Sequence, residues 1–354
     1  MNNLFALLLA FSICLFTTVK CWEGGTPYTI PTDKSLPAAP SGGTLIQWSP
    51  CPNSKLVNPA VVNQCFLKGS KASTAYIVQH ADNAPIASPG FSTTDGKSSF
   101  WRKGVNLGYA PGIDSWAIGN DDSTGAGCSS YSQYDAIINY YSGNPALFPN
   151  LRTIVIVGHS GGANFVSRFS TINTNTPRGM RYIVANAANQ GYFDNARPTK
   201  TTSDDCPAAF SWPFQWTGSF NRYVGSRIKN PVALFNQWAG REVIHLTGDQ
   251  DTSTSGTQTC QSVAQGGGAR RDRNYGYWAD LNILAGTKTD VSKYPGFNQL
   301  LASGAKKIGS GNLNHKACTV AGVGHDAPGM FGSQCGRAAI FGQSLPAGAG
   351  PSTP

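Results

Sequence analysis

The sequence predicts an α/β fold, a mostly parallel central sheet flanked by helices, and two patterns predict it. Short β-branched runs alternate with stretches of helical spacing, and Gly, Asn and Ser separate them. One run also passes through a tight glycine-rich turn into a second helical stretch. The candidate strands are 75–78, 153–157, 182–185, 243–246 and 318–320, each an apolar segment short enough for a strand buried on both faces. Helical spacing runs over 134–141 and 275–284, and 163–169 continues as helix after the glycine-rich turn.

Around this core, residues 1–20 read as a secretory signal peptide. The run from Leu4 to Val19 is nearly continuously apolar and gives way to polar, Gly/Pro-rich sequence. It is shorter than the roughly 20 residues a membrane-spanning helix needs, and no later segment matches it, so no membrane span is expected. Residues 21–343 then form a single domain whose first part, about 21–70, reads as an irregular arm tied by disulfides. The aromatic-rich stretch 190–239 reads either as a covering region over a site or as ordinary packing, and 344–354 as a flexible tail.

Composition narrows the function. The 354 residues carry 41 Gly and 22 Pro, below the roughly 25–30% Pro and Gly of low-complexity chains, and 40% are hydrophobic, enough to fill a sizeable core. The net charge of +9 can attract an acidic polymer surface, but the densest basic cluster, Arg270-Arg271-Asp272-Arg273, lies in no nucleic-acid-binding pattern. No nucleic-acid partner is therefore expected. Beyond Cys14 in the signal, the cysteines are Cys21, Cys51, Cys65, Cys128, Cys206, Cys260, Cys318 and Cys335. Their even number fits export and disulfides. Nearness in sequence suggests Cys51 with Cys65 and Cys318 with Cys335. No C-x-x-C pair, H-E-x-x-H or paired Cys/His spacing occurs, so neither a metal nor another cofactor is expected.

The sharpest motif is Gly158-His159-Ser160-Gly161-Gly162, G-x-S-x-G set between a strand and a helix. Glycines are needed there because the turn is too tight for side chains, and the turn lifts the serine hydroxyl above the sheet edge. The Gly161 amide, next in the chain, can stabilise an oxyanion. A serine nucleophile needs a histidine base and a carboxylate to orient it, in the chain order Ser, Asp or Glu, His. His80 and His159 precede or abut the turn, and His245 sits inside a strand. His325 follows the 318–320 strand while His315 precedes it, and catalytic loops lie at carboxyl ends, which favours His325 over His315. Asp249 and Asp251 both follow the 243–246 strand. Asp251 takes the fourth place of Gly248-Asp249-Gln250-Asp251, where this fold usually carries the acid; Asp249 stays open as the alternative. Asp326 adjoins His325 too closely to orient its ring.

These residues resemble the α/β-hydrolase superfamily, and the resemblance runs from about Ser73 to Phe341. Within it, the chain is similar to secreted fungal-type and bacterial serine hydrolases. Further resemblance lies at Phe148-Pro149-Asn150-Leu151, at Ala185-Asn186-Ala187-Ala188, at Gln265-Gly266 with Arg270 and Arg273, and at Val323-Gly324-His325-Asp326 with Met330-Phe331. The resemblance implies carboxylic ester hydrolysis through an acyl-enzyme, with Ser160, Asp251 and His325 as triad; it does not specify a substrate, which is expected to be an ester-bearing small molecule or polymer. Related enzymes often carry His-Gly after the first core strand, where this chain has Gln79-His80-Ala81-Asp82. The second oxyanion amide is accordingly expected at Ala81, or at Asp82. Two other classes fit the same fold: a secreted binding module without catalysis, and a serine peptidase.

Overall fold

A computed structural model describes residues 106–346 except 177, 178 and 229, together with 44–48, 51, 58–62, 73–80, 91, 94, 103 and 104. Residues 1–20, expected to be a signal peptide, lie outside the described residues, as do Cys21, Cys65, Ala81, Asp82 and all but the first three residues of the expected tail.

Strands β1 (Thr44–Trp48) and β2 (Asn58–Val62) pair antiparallel, from Thr44↔Val62 to Trp48↔Asn58. The other strands, β3 (Thr74–His80), β4 (Thr153–His159), β5 (Gly179–Ala185), β6 (Glu242–Gly248) and β7 (His315–Val320), form a five-stranded sheet in that order. β5 and β6 run parallel, Arg181 opposite Glu242 through Ala185 opposite Leu246. β6 and β7 run parallel, Val243 opposite His315 through Gly248 opposite Val320. Each predicted strand is present and longer than its apolar run, because the ends carry residues such as Gly158 and Gly248 that hydropathy does not count. The longer helices are α1 (Ser130–Gly143), α2 (Gly161–Ile172), α3 (Pro231–Ala239), α4 (Arg270–Ala285), α5 (Phe297–Ala302), α6 (Ala327–Gly332) and α7 (Gln334–Phe341).

By contact density the chain divides into two units, Met1–Val157 with Asn173–Met180 and Asn221–Tyr223, and the remainder. In the first unit, α1 starts at an N-cap, Ser129, whose side chain accepts the Tyr131 N–H, and it buries Tyr131, Tyr134, Ile137, Ile138 and Tyr141 at helical spacing. The Tyr134 hydroxyl donates to Gln79 Oε1 on β3 at 2.7 Å. Where an irregular arm is expected, β1 and β2 form a two-stranded sheet. The arm's disulfide also differs from the expectation: Cys51 pairs with Cys128, 77 residues away, and not with Cys65. Cys51, Leu107 and Cys128 make one small buried cluster, so burial beside Leu107, and not chain proximity, selects the partner.

In the second unit, α2 packs against α3, while α4, α6 and α7 pack on β6, and α7 also on β7. Burying each Ile, Leu or Val of these strands stabilises by roughly 1.5–3 kcal/mol. All twelve residues of α2 are buried. Its polar side chains are therefore bonded inside the core: Arg168 donates to the Pro213 carbonyl at 2.9 Å and to Asn189 Oδ1 at 2.7 Å. In 190–239, Tyr192, Phe193, Trp216 and Trp238 are buried, and Phe210, Trp212 and Phe220 are half-buried. Disulfides join Cys206 to Cys260 and Cys318 to Cys335.

Candidate active site

In a parallel sheet the carboxyl ends of neighbouring strands open on the same edge, and the candidate site is assembled from the segments that follow β4, β5, β6 and β7. Ser160 follows β4 directly and has φ +58°, a left-handed conformation uncommon outside glycine. The turn is as tight as its glycines imply. A Cβ on Gly158 would overlap the carbonyl of Gly162, so strand and helix could not approach with any other residue there. The Ser160 N–H donates to the Ala185 carbonyl at the end of β5, 3.0 Å away. Gly161 opens α2, where the first amides of a helix have no partner within it.

His325 lies in the loop between β7 and α6, and Asp251 in the loop after β6. The structure brings both to Ser160. His325 Nε2 is 2.8 Å from Ser160 Oγ, and His325 Nδ1 is 2.9 Å from Asp251 Oδ2. A carboxylate can only accept, so Nδ1 carries the proton it donates to Asp251, and Nε2 is left with its lone pair toward the serine hydroxyl. Asp251 is buried, only 1% exposed, whereas the His325 side chain keeps 28% of its surface accessible. The imidazole therefore opens toward solvent, while the carboxylate bonded to it does not.

The competing residues do other things. Asp249 Oδ1 accepts the Gly322 N–H at 2.8 Å, and the Asp249 N–H donates to the Val320 carbonyl, so this acid ties its own loop to the histidine loop. Asp326 is the N-cap of α6, accepting the Gly329 N–H at 2.6 Å. His315 begins β7 at its amino end and lies against His245: its Nε2 is 3.0 Å from the Trp238 carbonyl and its Nδ1 is 3.3 Å from His245 Nε2. Burial pushes the His315 imidazole down to about 4, against the raising effect of the Trp238 carbonyl. Burial, and then the neighbouring His315, holds His245 well below the ordinary histidine value.

Two residues already named in the sequence, His159 and Arg270, make contacts there that the sequence did not show. The buried ring of His159, one residue before the serine, lies 4.8 Å from the His325 ring, centroid to centroid, and supports it from within. Arg270, at the start of α4, places Nη1 3.9 Å from Asp251 Oδ1. That oxygen is buried and has no hydrogen-bond donor among the described residues, and the guanidinium places a positive charge beside it. Gly256 makes room for it, because a Cβ there would overlap the Arg270 guanidinium. The next arginine that faces inward, Arg273, is buried and donates to the carbonyls of Gly267, Ala188, Thr257 and Gly268. Burial lowers it to about 10. The basic cluster is thus structural, and the signal that could have shown it was its spacing: residues 270 and 273 share a helix face with Asn274. Among the described residues no group of His, Cys, Asp or Glu is arranged to hold a metal ion.

No protein-family model matches the chain, and no curated protein matches it by sequence. Solved structures do match. A poly(3-hydroxybutyrate) depolymerase from Bordetella parapertussis is similar over 86% of this chain and 91% of its own, with TM-score 0.50 and 17% identity. A poly(aspartic acid) hydrolase-1 from Sphingomonas sp. KT-1 is similar over 83% of this chain and 96% of its own, with TM-score 0.52 and 16% identity. The fold is that of the α/β-hydrolases.

Proposed function

We propose that the chain is a secreted serine hydrolase of carboxylic esters, with Ser160 as nucleophile, His325 as base and Asp251 as the acid that orients it. The observation that carries this reading is the continuous hydrogen-bonded relay from Ser160 Oγ through the imidazole to a buried carboxylate. As Oγ bonds to the ester carbonyl carbon, its proton passes to His325 Nε2, and Asp251 stabilises the resulting imidazolium. The Gly161 amide serves as one oxyanion donor; the second, expected at Ala81 or Asp82, lies outside the described residues. Collapse of the tetrahedral species expels the alcohol, which takes the proton from Nε2. Water, deprotonated by the same nitrogen, then attacks the acyl-enzyme, and Ser160 regains its proton as the carboxylic acid leaves.

Substrate class follows less directly. Two solved structures with this fold are a poly(3-hydroxybutyrate) depolymerase and a poly(aspartic acid) hydrolase, and both ester and amide bonds are open to such a relay. The net charge of +9 would favour an acidic polymer or surface. Export is supported by the apolar first twenty residues and by three disulfides among the described residues, of which no helix is long and apolar enough to cross a membrane.

The test is turnover by the purified full chain of p-nitrophenyl acyl esters, hydroxybutyrate oligomers and peptide amides, each beside Ser160→Ala. Ester hydrolysis abolished by the substitution is the expected result. Peptide amides cleaved as fast as esters would make the protein a peptidase, and binding without turnover would make it a non-catalytic module.

A further inference from the structure

We infer that Asn186 is the positioning residue that holds the three loops of the relay in mutual register. This rests on the hydrolase reading, because its effect is felt only through Ser160, Asp251 and His325.

Asn186 is the first residue after β5, fully buried, with φ +50°. Each of its polar groups that can reach a neighbouring loop does so. Its N–H donates to the Leu246 carbonyl on β6 at 3.0 Å. Its Oδ1 accepts the N–H of Gly248, three residues before Asp251, at 2.8 Å. Its Nδ2 donates to the carbonyl of Gly324, the residue before His325, at 3.0 Å. The preceding residue, Ala185, accepts the Ser160 N–H. Two consecutive residues at one strand end thus touch the nucleophile turn, the acid loop and the histidine loop, each within three residues of its functional side chain.

The site is specific for asparagine on two counts. Only a side-chain amide offers an acceptor and a donor at this reach, facing two different loops at once; aspartate would present oxygen to the Gly324 carbonyl, and glutamine is one carbon longer. The left-handed backbone is also one that glycine, asparagine and aspartate adopt more readily than other residues do. The anchor is itself held. Asn164 Oδ1 on α2 accepts the N–H groups of Ala188 and Asn189 at 2.9 and 3.3 Å, and Arg273 on α4 donates to the Ala188 carbonyl at 3.1 Å. A fixed post-β5 turn with a two-armed side chain can set the distance between imidazole and hydroxyl without touching either.

The experiment compares Asn186→Gly and Asn186→Asp with the parent chain in steady-state ester hydrolysis, with Ser160→Ala as the control for the reading. Asn186→Gly keeps the backbone conformation and removes both arms; Asn186→Asp keeps the acceptor toward Gly248 and loses the donor toward Gly324. Because misplacing reacting groups by about 1 Å costs on the order of 100-fold, kcat should fall about 30- to 100-fold in both, with KM within about twofold. Labelling of Ser160 by a fluorophosphonate should slow in proportion. A kcat within about twofold of the parent, with either variant folded by near-ultraviolet circular dichroism, overturns the inference, as does a lowered melting temperature with kcat unchanged. Should Asn186→Gly not fold, the near-isosteric Asn186→Asp decides. A parent chain that neither hydrolyses esters nor labels at Ser160 removes the hydrolase reading itself, and the inference with it; an active parent with unaffected variants removes the inference alone.

Discussion

His315 and His325 stand at opposite ends of β7, ten residues apart in sequence, and the strand gives them opposite chemistry. His315, at the amino end, is enclosed by Trp238 and His245, and its Nε2–H goes to the Trp238 carbonyl. With that proton fixed, its Nδ1 accepts from His245, and both rings are held neutral by burial. His325, beyond the carboxyl end, keeps one side open, with its Nδ1–H on a buried carboxylate and its Nε2 on a serine hydroxyl. One residue type therefore serves as core in the first case and as candidate base in the second. The difference lies in what sits behind each ring: a neutral carbonyl that fixes the tautomer, or a carboxylate that also stabilises the cation.

Removing each ring in turn separates the two histidines most sharply. Replacing His325 with Ala should lower kcat for ester hydrolysis by about 10⁴- to 10⁶-fold, the range for loss of a triad base. His315→Asn should leave kcat of the folded protein within about threefold, since its ring touches no reacting group. Equal losses in the two folded variants would remove the distinction. The acids behind the loops give the next largest contrast. Asp251→Asn should cost about 10⁴-fold by fixing the wrong tautomer. Asp249→Asn, which loses only part of a bond to Gly322, should cost less than about tenfold.

The buried pair carries the third prediction, in stability and not in rate. An unfolded histidine titrates near 6.5, and His315 in the fold near 4. Between these values the unfolded chain binds a proton that the folded chain refuses. Stability is therefore fully present above about pH 6.5 and is lost progressively as pH falls toward 4, by about 3 kcal/mol for His315 alone. Urea midpoints measured from pH 7 to 4 should fall accordingly, and the slope should flatten in His315→Asn. Trp238, Tyr277, Trp278 and Arg241 face the pair and are not expected to titrate in that window. A smaller loss than at Asp251 is expected at Arg270, which lies near Asp251 without hydrogen-bonding its Oδ1. Arg270→Met should lower kcat on the order of tenfold, a barrier increase of about 1.4 kcal/mol, with recovery in Arg270→Lys.

What was legible in the sequence follows from how local each signal is. The turn at Ser160 could be read because its strand, glycines and helix are contiguous, and the glycine requirement is steric. The preference for His325 over His315 needed only the direction of one strand. Choosing Asp251 over Asp249 needed the position of the acid in the loop, and the geometry places Asp251 on the imidazole. By contrast, Cys51 with Cys128 joins residues 77 apart, and nothing in their immediate sequence distinguishes that pairing from Cys51 with Cys65. Helix α3 had a local signal that hydropathy alone passes over: Asn230 caps it by accepting the Ala233 N–H, and Pro231 opens it. Asn186 could not be assigned a role at all, because its meaning lies in two loops that reach it from 62 and 138 residues away.

The most direct measurement is mass spectrometry of the purified protein after reaction with a fluorophosphonate probe, beside Ser160→Ala. Such a probe reports an activated serine without requiring the natural substrate. A single adduct, mapped to Ser160 and absent from the variant, is the result this account predicts. A folded protein that takes up no probe, or takes it up at another residue, would contradict it.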